Sequence, residues 1–284
     1  MTLFLDLRAS DAGGIPAAEV TPRVDFTPIP IAQVAKLVTG RDVLIGTHGF
    51  NVHRADGIAE LSNWEKLLSL GPNGLFIGLL WPGDSRWTPI IDYPMEGAAA
   101  IKSGKLLAPF LNQNFLGANS LSFVSHSLGA RTVLETIRGL TFRVSNLVLM
   151  AGAIEDDCLT DEYRDTAQKI GAISVLASTR DEVLALAFPI GNLVEGILTP
   201  THPFFHSAIG HLGPRPPYLT SLNKNWQIPE FWDYGHLNYL PPVTSAATPV
   251  TTPVNLPVPA KTPSPSIDQK PAWSAAFVSA RVAQ

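Results

Sequence analysis

Cysteine is almost missing from this chain. One residue in 284, Cys158, excludes an internal disulfide framework and a cysteine-built zinc cage. Charge is also scarce: 15% of residues are Asp, Glu, Lys or Arg, against about 25% in ordinary soluble domains. With 24 acidic and 20 basic residues, the formal net charge is −4. No basic excess is present to hold a phosphate backbone, so nucleic acid is not an expected partner. Long apolar runs are absent too. A membrane-spanning helix requires roughly 18 to 20 apolar residues. The nearest approach, Val183 to Leu198, is broken by Pro189, Gly191 and Glu195. The opening MTLFLDLRAS has no basic stretch, and Asp6 interrupts its apolar run, so it does not read as a signal peptide. The expectation is a soluble, cytoplasmic protein with no transmembrane segment.

What the chain has in excess is proline, 25 in all. Nine of them fall among the 44 residues 241–284, mixed with Ala, Thr, Ser and Val and only four charges. Proline at this density prevents helices and strand ladders, so 241 to about 270 reads as extended or disordered. Residues 1–240 are the expected catalytic domain and 241–284 a Pro/Ala/Thr-rich tail. Within the tail, Trp273, Phe277 and Val278 offer a docking face, although fraying is the usual fate of a terminus.

Residues 1–240 alternate between short apolar runs and helical patterns. Apolar runs cover Val43 to Thr47, Leu75 to Trp81, Leu121 to Ser125, Asn146 to Ala151 and Ala172 to Ala177. Helical patterns cover Ala55 to Leu70, Pro94 to about Leu107, Leu128 to Arg138 and Asp161 to Ile170. Pro94 suits a first helical turn. Leu3 to Leu7 reads as an added edge strand. Continuous apolar strands separated by helices imply an α/β fold with a mostly parallel sheet covered on both faces.

The most informative stretch is Ser125-His126-Ser127-Leu128-Gly129, between an apolar strand and a helix. A serine at the apex of a tight strand-to-helix turn needs small residues two positions to either side. Ser125 and Gly129 are small, although glycine is usual at the first of these places. Ser127 is thus the candidate nucleophile. Its oxyanion would need backbone donors. Leu128 N–H at the helix start is one, and Phe50 N–H (or less readily Asn51) in Thr47-His48-Gly49-Phe50-Asn51 is the other. His48 would brace that loop. The acid should follow the strand Ala172 to Ala177. Asp181 is favoured, Glu182 is next, and Asp156 or Asp157 is third. Asp181 can also cap the helix that follows it. For the base, His202, His206, His211 and His236 qualify by order. His236, in a Gly-containing loop just before the tail, is favoured, with His211 second. No suitable carboxylate accompanies the cluster His202, His206 and His211, so no metal is expected. Cys158 has no assigned role, nor do His126 and His53.

These segments resemble the α/β-hydrolase superfamily over residues 40 to 240. They are similar to a microbial branch marked by His48-Gly49-Phe50-Asn51, Trp81-Pro82-Gly83-Asp84, Tyr93, His126-Ser127-Leu128-Gly129 and the segment Ser178 to Leu184. The resemblance implies a Ser-Asp-His hydrolase and no particular substrate. The expected activity is cleavage of a small-molecule carboxylic ester without a cofactor, the ester carrying an apolar acyl group. Trp81, Trp87, Phe50 and the segment Phe188 to Leu198 are candidate pocket linings, and that segment is either a lid or ordinary core. Acyl transfer, thioester or peptide cleavage on the same triad, and a non-catalytic binding module, are the competing readings.

Overall fold

A computed structural model describes residues 1–11, 13–84, 89–186, 207–219, 221–243 and 263–282. Its centre is a nine-stranded sheet in the order β3-β2-β1-β5-β4-β6-β7-β8-β9. The strands are β1 (Leu3–Arg8), β2 (Pro16–Val24), β3 (Thr27–Pro28), β4 (Asp42–Thr47), β5 (Gly74–Leu80), β6 (Ser120–His126), β7 (Val144–Met150), β8 (Ile170–Ala177) and β9 (Leu222–Gln227). Along the sheet from β1 to β9 all neighbouring pairs are parallel; the β1–β2 and β2–β3 pairs are antiparallel.

The helices are α1 (Ile31–Val38), α2 (Arg54–Glu65), α3 (Pro89–Asn114), α4 (Gly129–Gly139), α5 (Arg164–Ala167), α6 (Ile209–Leu212) and α7 (Lys270–Val282). α3 packs on α4 and α1, whereas α2 packs with α7, giving the sheet a helical layer on each face. Strands β4 to β8 are mostly apolar and mostly buried because both faces are covered.

Four expectations change. β1 is not an edge strand: it lies between β2 and β5 and all six of its residues are buried. The β2–β3 hairpin extends the sheet beyond it. α3 starts at Pro89, so Pro94 lies inside the helix instead of in its first turn. Finally, residues 263–282 are not an extended tail. Ile267–Gln269 forms a 3-10 turn, and α7 buries Trp273, Phe277 and Val278 in the main core. The physical reason is apolar area. Trp273 meets Trp226 and Trp232 edge to face, with centroids 5.5 and 5.1 Å apart, and such burial outweighs the ordering of one helix. The packed unit therefore extends past 240. Trp87, Phe188 to Leu198, His202, His206 and residues 244–262 lie outside the described residues.

Candidate active site

Parallel strands deliver their following loops to one edge of the sheet, where ligands of open α/β folds gather. β4 and β6 are neighbours, and Thr47 is in register with Ser125. The loop after β4 and the turn after β6 therefore leave side by side. β8 is two strands from β6, and β9 is next to β8.

Ser127 sits at the apex after β6 with φ +54°, in the left-handed region that a serine adopts only under constraint. Its backbone is fixed on both sides. The Ser127 N–H donates to Met150 O, and the Ala130 and Ala153 N–H groups donate to Ser127 O, all at 3.1 Å. Glycine is needed next to it. A Cβ on Gly129 would stand 2.6 Å from His48 O, and one on Gly49 would stand 3.0 Å from Ser127 Cβ. The loop after β4 thus lies directly against the turn after β6.

His236 bridges two side chains. Its Nε2 is 2.8 Å from Ser127 Oγ, and its Nδ1 is 2.7 Å from Asp181 Oδ2. Both carboxyl oxygens of the fully buried Asp181 are used, because Oδ1 accepts the Leu184 N–H at 3.0 Å. Asp181 thus holds the helical residues at 182–186 as well as the imidazole. Glu182 is exposed, and Asp156 pairs with Arg215 instead. His211 lies on α6, and it is His236 that hydrogen-bonds Ser127 and Asp181.

Among the described residues, the N–H groups of Phe50 and Leu128 have no hydrogen-bond partner, whereas that of Asn51 donates to Gly83 O at 2.5 Å. Of the two donors considered in that loop, Phe50 is the one left available. His48 lies beneath it. Its Nδ1 donates to Gly49 O at 2.8 Å, and burial, then the Arg8 charge, lower its pKa to about 3. Trp81 corrects an expectation: it is fully buried, stacks on His48 and donates its indole N–H to His48 O at 3.0 Å. It supports the loop instead of lining a pocket.

Residues without an assigned role also gather here. Arg8 and Asp84 form a fully buried ion pair. Asp84 also accepts from the Gly13 N–H at 2.6 Å and meets His53 Nδ1 at 3.1 Å. Arg8 donates to Val52 O at 2.6 Å and to Trp81 O at 3.3 Å, tying the loop after β4 to the loop after β5. In the sequence Asp84 is marked only as the last residue of Trp81-Pro82-Gly83-Asp84, and Arg8 only as a charge closing an apolar strand. His126 donates from Nε2 to His236 O at 2.9 Å. Burial, then the nearby His236, lower its pKa to about 3, so it stays a neutral donor. Burial keeps the Cys158 thiol protonated. Among the described residues, no three His, Cys, Asp or Glu side chains converge as a metal would require. No described helix is long and apolar enough to cross a membrane.

Comparison with known proteins places the chain in a family. Residues 31–209, more than half of the chain, match a family model described as "Alpha/beta hydrolase of unknown function (DUF900)". The match includes Ser127 and Asp181 and stops before His236. A comparison with curated proteins finds no match.

Proposed function

The chain belongs to this α/β-hydrolase family, and from that premise we propose that it is a serine hydrolase that cleaves carboxylic esters. The observation that carries the reading is the continuous path from Ser127 Oγ through His236 to Asp181, at 2.8 and 2.7 Å. His236 Nε2 takes the Ser127 hydroxyl proton as Oγ attacks the ester carbonyl. Asp181 accepts the Nδ1–H, fixing the tautomer and stabilising the imidazolium that forms. The oxyanion rests on the Leu128 and Phe50 N–H groups, each worth roughly 2.7 to 4 kcal/mol in such sites. The proton passes from Nε2 to the leaving alkoxide as the C–O bond breaks, leaving an acyl group on Ser127. Water, deprotonated by His236, releases the acid. No step uses a cofactor.

The substrate side is argued more coarsely. Leu237, next to His236, is 81% exposed and presents apolar surface beside the base, which suits an apolar acyl group. Trp87 and the segment Phe188 to Leu198 remain the other proposed linings.

A fluorophosphonate probe and a series of p-nitrophenyl esters of graded acyl length test the proposal. Wild type should label at Ser127 and turn over esters. Ser127→Ala should lose labelling and about 10⁴-fold or more of the turnover. Wild type that neither labels nor hydrolyses any ester in the series would sink the reading.

A further inference from the structure

The turn that carries His236 is assembled from one side by α7, residues that stand apart from the rest of the chain in sequence. We propose that Lys270 at the start of α7 is a positioning residue for His236, and that α7 serves the chemistry by holding the base in register with Ser127. This rests on the triad reading above.

The argument begins with the shape of the turn. Asp233 has φ +49°, a left-handed residue that swings the chain out of the 3-10 turn Glu230–Trp232 and toward the site. Residues 233–235 have no regular structure, and His236–Asn238 is one short 3-10 turn. So brief a segment cannot hold an imidazole to a few tenths of an ångström by its own ladder of hydrogen bonds. It needs partners from outside.

α7 provides them. Lys270 is a buried residue, and its ammonium donates to Asp233 O at 2.5 Å and to Asn238 Oδ1 at 3.2 Å. The same Asn238 Oδ1 accepts the Gly235 N–H at 2.8 Å. One cation therefore grips both ends of a six-residue turn with His236 inside it. The grip is repeated around it. The Tyr234 hydroxyl donates to Lys270 O, and the Ser274 hydroxyl donates to Tyr239 O. Trp273 packs its ring on Trp232 and Tyr234, 5.1 and 6.0 Å between centroids. From the opposite side His126 holds His236 O. The turn is thus fixed between the nucleophile turn and α7.

A helix that served only to cover apolar surface would have no reason to turn an ammonium inward, where even partial desolvation is costly unless strong acceptors meet it. Here the acceptors are the two ends of the base turn. A lysine stem with three donors suits that task, because both acceptors converge on one point.

The test uses the full chain. Lys270→Met keeps the aliphatic stem and removes the donors. Phe277→Leu loosens α7 elsewhere: Phe277 packs on Trp226 and Trp273, with centroids 5.8 and 6.1 Å apart. Lys270→Met should lower kcat on p-nitrophenyl butyrate about 10- to 100-fold with KM nearly unchanged, as misplaced catalytic groups do. Fluorophosphonate labelling of Ser127 should slow by the same factor. Phe277→Leu should lower the melting temperature while kcat stays near wild type. Ser274→Ala removes the hydrogen bond to Tyr239 O just after the same turn and should show the same split in smaller measure. It stands in if Lys270→Met does not fold. Activity that follows melting temperature alike in all variants overturns the proposal, as does wild-type kcat in Lys270→Met. In a His236→Ala background, Lys270→Met should slow labelling no further, and an additive loss counts against action through His236. If His236→Ala itself labels like wild type, the triad reading has failed and this proposal falls with it. Wild-type labelling in Lys270→Met, with His236→Ala inactive, rejects the positioning role alone.

Discussion

At the scale of single residues, Ser127 is where conformation and chemistry pull apart. A non-glycine residue at φ +54° costs of order 1 to 3 kcal/mol, and the surrounding hydrogen bonds keep it there. This gives an ordering that runs against ordinary experience. Ser127→Ala and Ser127→Gly both lose the hydroxyl, yet only glycine is relaxed in that conformation. Ser127→Gly should therefore melt above Ser127→Ala, although glycine normally lowers stability by its greater freedom in the unfolded chain. Differential scanning calorimetry of the two inactive variants decides it. If the alanine variant is the more stable, the turn is not strained as described.

At the scale of elements, the loops after β4 and β5 behave as one unit. The Arg8–Asp84 pair is fully buried and reaches Val52 O and Trp81 O, and the Asn51 N–H closes the link at Gly83 O. Removing one partner leaves an uncompensated buried charge. Asp84→Asn is expected to cost about 3 kcal/mol or more in urea denaturation. It should also slow acylation, because the Phe50 N–H rides on the same loop. Unchanged acylation in a folded, destabilised Asp84→Asn would show that the pair serves stability alone. The same elements mark where sequence is readable. β4 to β8 are legible because each has a continuous apolar run where both of its faces are covered. β2 is not, because Pro16 and Pro22 break its pattern, and β9 is not, because Leu222–Gln227 is mostly polar. Ser127 is legible from the small residues its turn demands, and Asp181 and His236 from their order after it. The pairing of Arg8 with Asp84 carries no such mark, since it spans 76 residues. α7 was hidden by the proline-rich stretch before it, which breaks local pattern without limiting what the chain beyond it can bury.

At the scale of the whole molecule, two buried histidines and two half-buried glutamates set how stability depends on pH. Burial, with the charges of Arg8 and His236 respectively, lowers His48 and His126 from 6.5 to about 3. Between those values the unfolded chain holds two protons that the folded chain does not, so acid favours unfolding. Glu60 runs the other way. Burial, then Asp56, raises it from 4.5 to about 8, so the folded chain holds the extra proton and stability falls as pH rises through that window. Glu65, raised mainly by burial, acts in the same direction. The histidines outweigh Glu60 below 6.5, and Glu60 acts against stability above it. The urea midpoint should therefore peak near pH 6.5 and decline on both sides. Glu60→Gln should flatten the alkaline limb and steepen the acid one between 4.5 and 6.5. An alkaline limb indifferent to that substitution would contradict the assignment.

The hydrogen bonds at the site also have a meaning in time. Ser127 and His236 are 109 residues apart in the chain, and His236 and Asp181 are 55 apart. Contacts so distant form only after long loops have closed, and folds built on them assemble slowly. Helices such as α3 need only their own residues and can form early. On dilution from denaturant, helical signal should therefore return well before turnover does. For this protein, recovered activity is the strictest available record that the last and most remote parts of the chain have met.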